Sequence, residues 1–352
     1  MNDDIGILHM NIEDLLNKRL SIIDSEINKI FEKRIFSGTL YAMMKYHLGW
    51  LDGDLKKIEE YRGKRFRPTL CLLVYSSLCG VESKVLPAAA AIELIHNFSL
   101  IHDDIEDMDE KRRHKPTVWK IWGINHAINV GDGMHVLANL SALRLKELNV
   151  SDTKIVEIMQ ILNESIITLC EGQYQDMDFE NRLDITIEMY LKMINFKTAV
   201  LIEASTWIGA TLATENKKIV NNFRKFGRNI GIAFQIIDDI MGIWGKSSKT
   251  GKPHASDIRN KKKTLPIIYA IQMASIKQKK RINELYKNNK ITNDEIQEIF
   301  DILEDTGALE YAKNTANEFE VKALKELSKT KINNEDLNDI KLISNFLVKR
   351  DY

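Results

Sequence analysis

Apolar side chains recur at every third or fourth position along most of this 352-residue chain, which is the period of an amphipathic helix rather than the alternation of a strand. Ile12, Leu15, Leu16, Ile22, Ile23 and Ile27 form one such stripe and predict helices over 11–32 and 37–50 whose apolar faces need a partner surface. The same period predicts a helix opening at Pro68, one from Pro87 to about Met108, and others over 119–147, 154–179, 183–212 and 216–241, with helical sequence continuing beyond Thr264. The five prolines, at 68, 87, 116, 253 and 266, each stand at or near the start of a helical pattern, where a missing N–H costs nothing. Gly131 and Gly133 fall inside one helix, each weakening it by about 1 kcal/mol relative to alanine, which predicts a kink or a close helix contact. The expected fold is all-α: an antiparallel bundle of long helices around a central cavity, as a single domain over 1–352.

Composition narrows the partners. With 44% hydrophobic and 28% charged residues the chain can bury a large core. Lys+Arg and Asp+Glu balance at 50 each, so no net basic field argues for nucleic acid and any phosphate binding must come from local clusters. Cys71, Cys79 and Cys170 are odd in number and lack CxxC spacing; they read as buried thiols in a reducing compartment, not as a disulfide framework or a zinc site. The N-terminus has no basic region leading into an apolar core, and no stretch approaches 18 apolar residues. The expectation is a cytoplasmic protein without a membrane span.

Local chemistry changes the picture most. Asp103, Asp104 and Asp107 form DDxxD, and at 3.6 residues per turn positions 103 and 107 share a helix face. An isolated match is most simply a solvated acidic face. The alternative is a divalent cation with hard oxygen ligands, Mg²⁺ shared with substrate phosphates. Arg112 and Arg113 follow, planar donors matched to phosphate oxygens. A second pair, Asp238 and Asp239, ends a run too apolar to be a solvent face. Lys64, Arg65 and Arg67 surround the start of a helix at Pro68, either as a basic surface turn or as a phosphate cradle at a helix N-terminus. Lys197 and Thr198 interrupt an apolar run, where a lysine snorkels out or meets an anion. Residues 245–263 read as a solvated linker or as a lysine-rich lid.

Taken together these motifs resemble the trans-isoprenyl diphosphate synthases, the polyprenyl synthetase family of head-to-tail prenyltransferases. The resemblance rests on RGKRFRP at 62–68, DDxxD followed by RR and PT, EGQYQD at 171–176, KT at 197–198, FQIIDD at 234–239, and GK, SD and KKKT between 251 and 264, in the family's order. It implies the isoprenoid synthase fold, a homodimer, and three Mg²⁺ with Asp103, Asp107 and Asp238 as ligands. Asp104 and Lys197 complete the catalytic set. Lys64, Arg65, Arg67, His96 and Arg113 would bind isopentenyl diphosphate, and Arg112, Lys197, Lys252 and Lys262 the allylic diphosphate. Thr198, Phe234 and Gln235 would line the site, with Asp257 as an additional aspartate. Two departures stand out: Arg62 where the family commonly has glycine, and Gly242 where the second motif usually has its third acid.

The implied reaction is ionisation of an allylic diphosphate, attack by the double bond of isopentenyl diphosphate, and proton loss, with no protein nucleophile. A class I terpene cyclase would need no second-substrate cations, and a head-to-head condensing enzyme would have another motif order. A non-catalytic subunit of a heteromeric synthase would have lost aspartates or lysines, as Gly242 partly illustrates. Ser99, Ile95, Ile92 and Ala88 fall within roughly 80° of Asp103 around the helix, so they form the stripe beneath the first acid block. None is aromatic. Family members that stop at fifteen carbons tend to carry an aromatic at the position of Ser99, whereas Phe98 resembles short-chain synthases that make twenty. The resemblance therefore implies geranylgeranyl diphosphate as product.

Overall fold

The computed structural model describes residues 2–33, 39–58, 63–180, 182–245, 254–288 and 290–349, with backbone alone for 2–11. Nearly all of it is helix: α1 (Asn2–Glu32), α2 (Thr39–His47), α3 (Phe66–Cys79), α4 (Leu86–Glu106), α5 (Val118–Trp122), α6 (Ile124–Leu143), α7 (Asp152–Glu180), α8 (Ile187–Ile194), α9 (Val200–Ala213), α10 (Lys217–Trp244), α11 (Ser256–Arg259), α12 (Leu265–Met273), α13 (Ile276–Lys287), α14 (Asn293–Asp305), α15 (Ala308–Ser328) and α16 (Glu335–Val348). The expected segments are present, with two interruptions that apolar periodicity does not register. Gly123, at φ 87°, separates α5 from α6, and a π-helical turn over Asn195–Ala199 separates α8 from α9. Gly131 and Gly133 lie within continuous α6, Gly131 facing the His102 ring, so the close contact rather than the kink is realised. A small antiparallel hairpin, β1 (Lys111–Arg112) with β2 (Lys115–Pro116), was not anticipated by the helical pattern.

The chain divides into two compact units. The first is Met1–Ile166, Ala204–Phe223 and Ile332–Ile343; the second is Ile167–Glu203, Arg224–Lys331 and Ser344–Tyr352. In the first unit α4 is the central element and packs against α1, α3 and α6. Its run Ala88–Ala91 is wholly buried, and four consecutive methyl side chains let neighbouring backbones approach on every side. Length and composition alone would let Glu82–Glu106 cross a membrane, contrary to the expectation from counting apolar runs, but 72% of its most apolar window is buried inside the protein. It is a core helix. In the second unit α12 packs against α8, α13, α14 and α15, around Ile258, Ile267, Ile282, Leu285, Ile299 and Leu303. Capping boxes at Ser275/Gln278 and Thr292/Glu295 start α13 and α14 by satisfying the first backbone donors.

The cysteine expectation needs correction. Only Cys71 is buried, whereas Cys79 and Cys170 are exposed, because Cys79 ends α3 and Cys170 stands on the exposed face of amphipathic α7.

Candidate active site

In the first unit, α4 delivers the first acid block at its C-terminal end. Successive helical residues are turned by about 100°, so the adjacent aspartates diverge. Asp104 is 1% exposed, while Asp103 and Asp107 are only half-buried. Arg112, on β1, joins the pair: its Nε donates to Asp104 Oδ1 at 2.6 Å and its Nη2 to Asp103 Oδ2 at 3.1 Å. Burial pushes the Asp104 carboxyl up to about 7 against the pull of Arg112, and its Oδ2 is buried without a hydrogen-bond partner. Arg112 is thus a partner of both aspartates, a role that the sequence did not assign.

The next residue, Arg113, sits in the two-residue turn of the hairpin. Arg113 and His114 both have positive φ, 51° and 65°, as the tightest hairpin turns require; for side chains other than glycine this costs about 1–3 kcal/mol each. The strain aims the Arg113 guanidinium at the basic segment: its Nη2 lies 2.8 Å from where a Cβ on Gly63 would stand. Gly63 is therefore the residue that leaves room for it. Lys64 follows, exposed. Arg67, at the start of α3, lies 3.2 Å from His96 Nε2 through its Nη1. Burial, then the charges of Arg67 and Arg113, hold His96 well below its usual value, so the ring is neutral and can accept from Arg67. Arg67 thus meets His96, and the charge of Arg113 reaches the same ring.

Arg65 is a correction. It is 2% exposed, and its guanidinium binds Asp24 Oδ1 at 3.3 Å, Glu93 Oε1 at 2.7 Å and the Leu48 carbonyl at 3.1 Å. Two buried carboxylates neutralise it, so it anchors the basic segment from within instead of presenting charge to a ligand. His47 was missed altogether. It lines a cleft with Tyr46, Asp104, Arg112, Arg113 and Lys115, and its Nε2 is buried without a partner. No local pattern marks it.

In the second unit the π-helical turn presents Lys197 and Thr198. Such turns recur at functional sites because the extra residue re-aims side chains. Gly172, of the EGQ segment, permits the approach: a Cβ there would stand 2.2 Å from the Lys197 backbone nitrogen. Lys197 Nζ pairs with Asp176 Oδ2 at 2.6 Å, so the anion it meets is a protein carboxylate. Thr198 donates to Gln235 Oε1 at 2.7 Å, and Gln235 Nε2 donates to Asp239 Oδ1 at 2.9 Å. Tyr190 OH donates to Asp239 Oδ2 at 2.5 Å, and the Leu265 N–H to the same oxygen at 3.2 Å. Burial pushes Asp239 up to about 7 while these donors pull the other way. Asp238, beside it, is exposed. Phe234 and Lys262 are half-buried, and the Lys262 N–H donates to the Asp257 carbonyl. Lys252 lies outside the described residues. Tyr190 was also missed, since it stands in no motif.

Each block thus presents carboxylates at its surface, Asp103 and Asp107 in one and Asp238 in the other. Among the described residues no three His, Cys, Asp or Glu side chains converge as a group that could hold a metal by themselves. Hard carboxylate donors of this kind, half-buried at Asp103 and Asp107 and exposed at Asp238, fit Mg²⁺, which keeps water and takes its remaining ligands from phosphates.

Comparison with known proteins gives the family to which this helical fold with two aspartate blocks belongs. The description Polyprenyl synthetase matches residues 49–303. A short chain isoprenyl diphosphate synthase of Methanocaldococcus jannaschii is 42% identical over 251 residues, 71% of this chain and 75% of that one. A geranylfarnesyl diphosphate synthase of Aeropyrum pernix is 38% identical, covering 82% and 90%. The crystal structure of a geranylgeranyl pyrophosphate synthetase from Pyrococcus horikoshii superposes with a TM-score of 0.87 at 33% identity, over 97% of this chain and 99% of that one. The chain belongs to the polyprenyl synthetase family, and by that membership it is a prenyltransferase.

Proposed function

We propose that this enzyme condenses isopentenyl diphosphate head to tail with allylic diphosphates, that geranylgeranyl diphosphate is its main product, and that it works with Mg²⁺, three ions per site. The observation that carries the two-substrate reading is the convergence of Arg67, His96 and Arg113, a cationic cluster for which a cyclase has no use. With Lys64 it grips the diphosphate of isopentenyl diphosphate. Asp103, Asp107 and Asp238 hold the metal. Magnesium, when bound, neutralises the diphosphate that leaves as the allylic C–O bond breaks. Lys197 exchanges Asp176 for that diphosphate, and Arg112, Lys252 and Lys262 contribute further cations. The hydrogen-bonded chain from Thr198 through Gln235 to Asp239 fixes the buried side of α10, and with it the turn from which Asp238 projects. His96, neutral, orients Arg67 and adds no competing charge.

Product length is supported by the stripe beneath Asp103. Ile92 and Ile95 are buried and Ser99 half-buried, while the Phe98 ring packs on His135 of α6 at 5.0 Å and so turns away from that stripe. The enzyme is read as a cytoplasmic homodimer. Ile124, Ile128, Val136 and Leu143 form an exposed apolar face along α6, and a second copy is the occupant that fits it. Incubating the protein with Mg²⁺, isopentenyl diphosphate and each allylic primer in turn tests the reaction. A twenty-carbon main product is expected; a twenty-five-carbon one overturns the length assignment, and cyclic hydrocarbon made without isopentenyl diphosphate overturns the reaction. Sedimentation should give twice the 40.6 kDa chain mass.

A further inference from the structure

Arg65 has one carboxylate more than its charge requires. Glu93 Oε1 accepts from its Nη1 at 2.7 Å and from Asn97 Nδ2 at 2.7 Å, so α4 already supplies a buried counter-ion that is itself oriented. Asp24, buried on α1, nevertheless takes another edge of the guanidinium, its Oδ1 accepting from Nε at 3.3 Å. Its second oxygen, Oδ2, accepts from the indole Nε1 of Trp50 at 3.3 Å. That indole is fixed in turn, edge-on to Phe31 of α1 with ring centroids 5.9 Å apart. With the Leu48 carbonyl on Nη2 at 3.1 Å, each guanidinium nitrogen has a partner and the planar fork is locked in direction. The backbone it holds is unusual. Arg65 has φ 48° and ψ 34°, the left-handed region that a side chain other than glycine rarely adopts. As the N-cap of α3, this turn stands between Lys64 and Arg67 and decides where both are aimed. Asp24 also lies outside residues 49–303, the stretch that matches the family, so the shared pattern assigns it no role.

We propose that Asp24, held by Trp50, is a positioning residue for the isopentenyl diphosphate site, acting through Arg65 to fix the left-handed turn from which Lys64 and Arg67 reach the diphosphate. This role rests on the reading in which those two cations hold isopentenyl diphosphate. Glu93 serves charge and Asp24 serves direction. Without Asp24 the guanidinium keeps its counter-ion, but Nε is released and the turn can relax toward the ordinary right-handed region. Arg67 then loses its place against His96 Nε2, which its Nη1 meets at 3.2 Å. The acids proposed for the allylic diphosphate stand at the far end of α4 and on α10, so the defect falls on one substrate.

Steady-state kinetics with farnesyl diphosphate as the allylic primer separate the two substrates. Asp24→Ala is expected to raise KM for isopentenyl diphosphate about tenfold, with KM for farnesyl diphosphate and kcat at saturation within about threefold of wild type. A merely structural role would lower Tm and the active fraction, and so kcat, while leaving both KM values in place. Asp24→Asn keeps an oxygen for Arg65 but turns an amide N–H₂ toward the Trp50 N–H, so it should raise the same KM by less. Trp50→Phe removes the opposing donor, and added to Asp24→Asn it should bring that KM down again by about twofold or more. If Asp24→Ala does not fold, the Asp24→Asn pair carries the test. The positioning role is overturned by a KM for isopentenyl diphosphate that Asp24→Ala leaves within about threefold of wild type, by equal rises in both KM values, or by a double variant no better than Asp24→Asn alone. Turnover of farnesyl diphosphate by the wild type without isopentenyl diphosphate would instead refute the two-substrate reading on which the role rests.

Discussion

The two aspartate pairs have the same layout and opposite anchors. In each, the first acid is presented, Asp103 half-buried and Asp238 exposed, and the second is buried, Asp104 and Asp239. Helical geometry forces this division, since neighbours about 100° apart cannot share a face. The anchors differ in charge. Asp104 is held by a guanidinium, Arg112, with one oxygen left unpaired. Asp239 is held by neutral donors: a phenol, an amide and a backbone N–H. Burial raises both carboxyls to about 7, but among the described residues only Asp104 has a guanidinium hydrogen-bonded to it. The first pair is thus an electrostatic assembly and the second a hydrogen-bonded one, and their variants should fail differently.

The largest effects belong to the feature they share. Asp103→Ala and Asp238→Ala should each remove several kcal/mol of transition-state stabilisation, on the order of a thousandfold in kcat. Unfolding midpoints should stay near the wild-type value, because neither side chain is a buried anchor. Turnover within tenfold of wild type in either variant would break the symmetry between the blocks.

Next come the anchors, where the comparison predicts a difference. Asp104→Asn strips a buried guanidinium of its closest charge partner. Arg112 keeps Asp103, and burial already holds the Asp104 carboxyl up at about 7, so the expected loss at neutral pH is about 2 kcal/mol, that of a hydrogen bond to a charged group. Asp239→Asn keeps an acceptor for Tyr190 and loses no cation, and should cost about 1 kcal/mol. Urea unfolding measures both. Equal losses would show that charge is not what separates the two anchors.

A smaller effect tests whether the basic cluster beside the first block is as charge-dependent as its anchor. His96 is held well below its usual value by burial and then by Arg67 and Arg113. Between that lowered value and the unfolded value of about 6.5 the unfolded chain binds the extra proton, so stability is full above about pH 6.5 and is lost as pH falls through the folded pKa. His96→Gln should flatten this part of the profile of unfolding free energy against pH. An identical acid limb in wild type and variant would mean that His96 does not carry it.

Much of this was legible in the sequence, for definable reasons. Helices are announced by a local period, and α4 and α10 were readable because Pro87 and the apolar runs fix their phase. Acid blocks and cationic segments are local strings too. What escaped depends on contacts distant in sequence. Nothing near Arg65 distinguishes it from Arg67, yet Asp24 and Glu93 claim the first while His96 meets the second. Nothing near Gly242 reveals that Asp257, fifteen residues on, lies against it. The Arg113 turn was hidden because a hairpin built from Arg-His lacks the glycine that ordinarily signals positive φ.

The smallest expected effect on rate carries the sharpest contrast between the blocks. One helical turn before its presented acid, the second block has Phe234 and the first has Ser99, each about 6 Å along its helix axis from the carboxylate-bearing residue. Ser99 is half-buried, its hydroxyl donating to the His96 carbonyl at 2.9 Å, and below it Ile95 and Ile92 are fully enclosed. The nearest ring on α4, Phe98, lies against His135 and His102, on the flank of the helix. The stripe formed by Ser99, Ile95 and Ile92 is therefore free of aromatic side chains, and on the proposed length assignment Ser99 is where a ring would stop the growing chain. Ser99→Phe gives the first block the ring that the second already has. It should shift the main product from twenty carbons to fifteen, with kcat on the first condensation within about threefold of wild type, because a difference of under 1 kcal/mol is all that a ring beyond the reacting atoms should add to that barrier. Product analysis by chain length, with each allylic primer supplied in turn, measures it. If the distribution does not move, the floor of the site is not on the α4 stripe, and the contrast between Ser99 and Phe234 has no bearing on length.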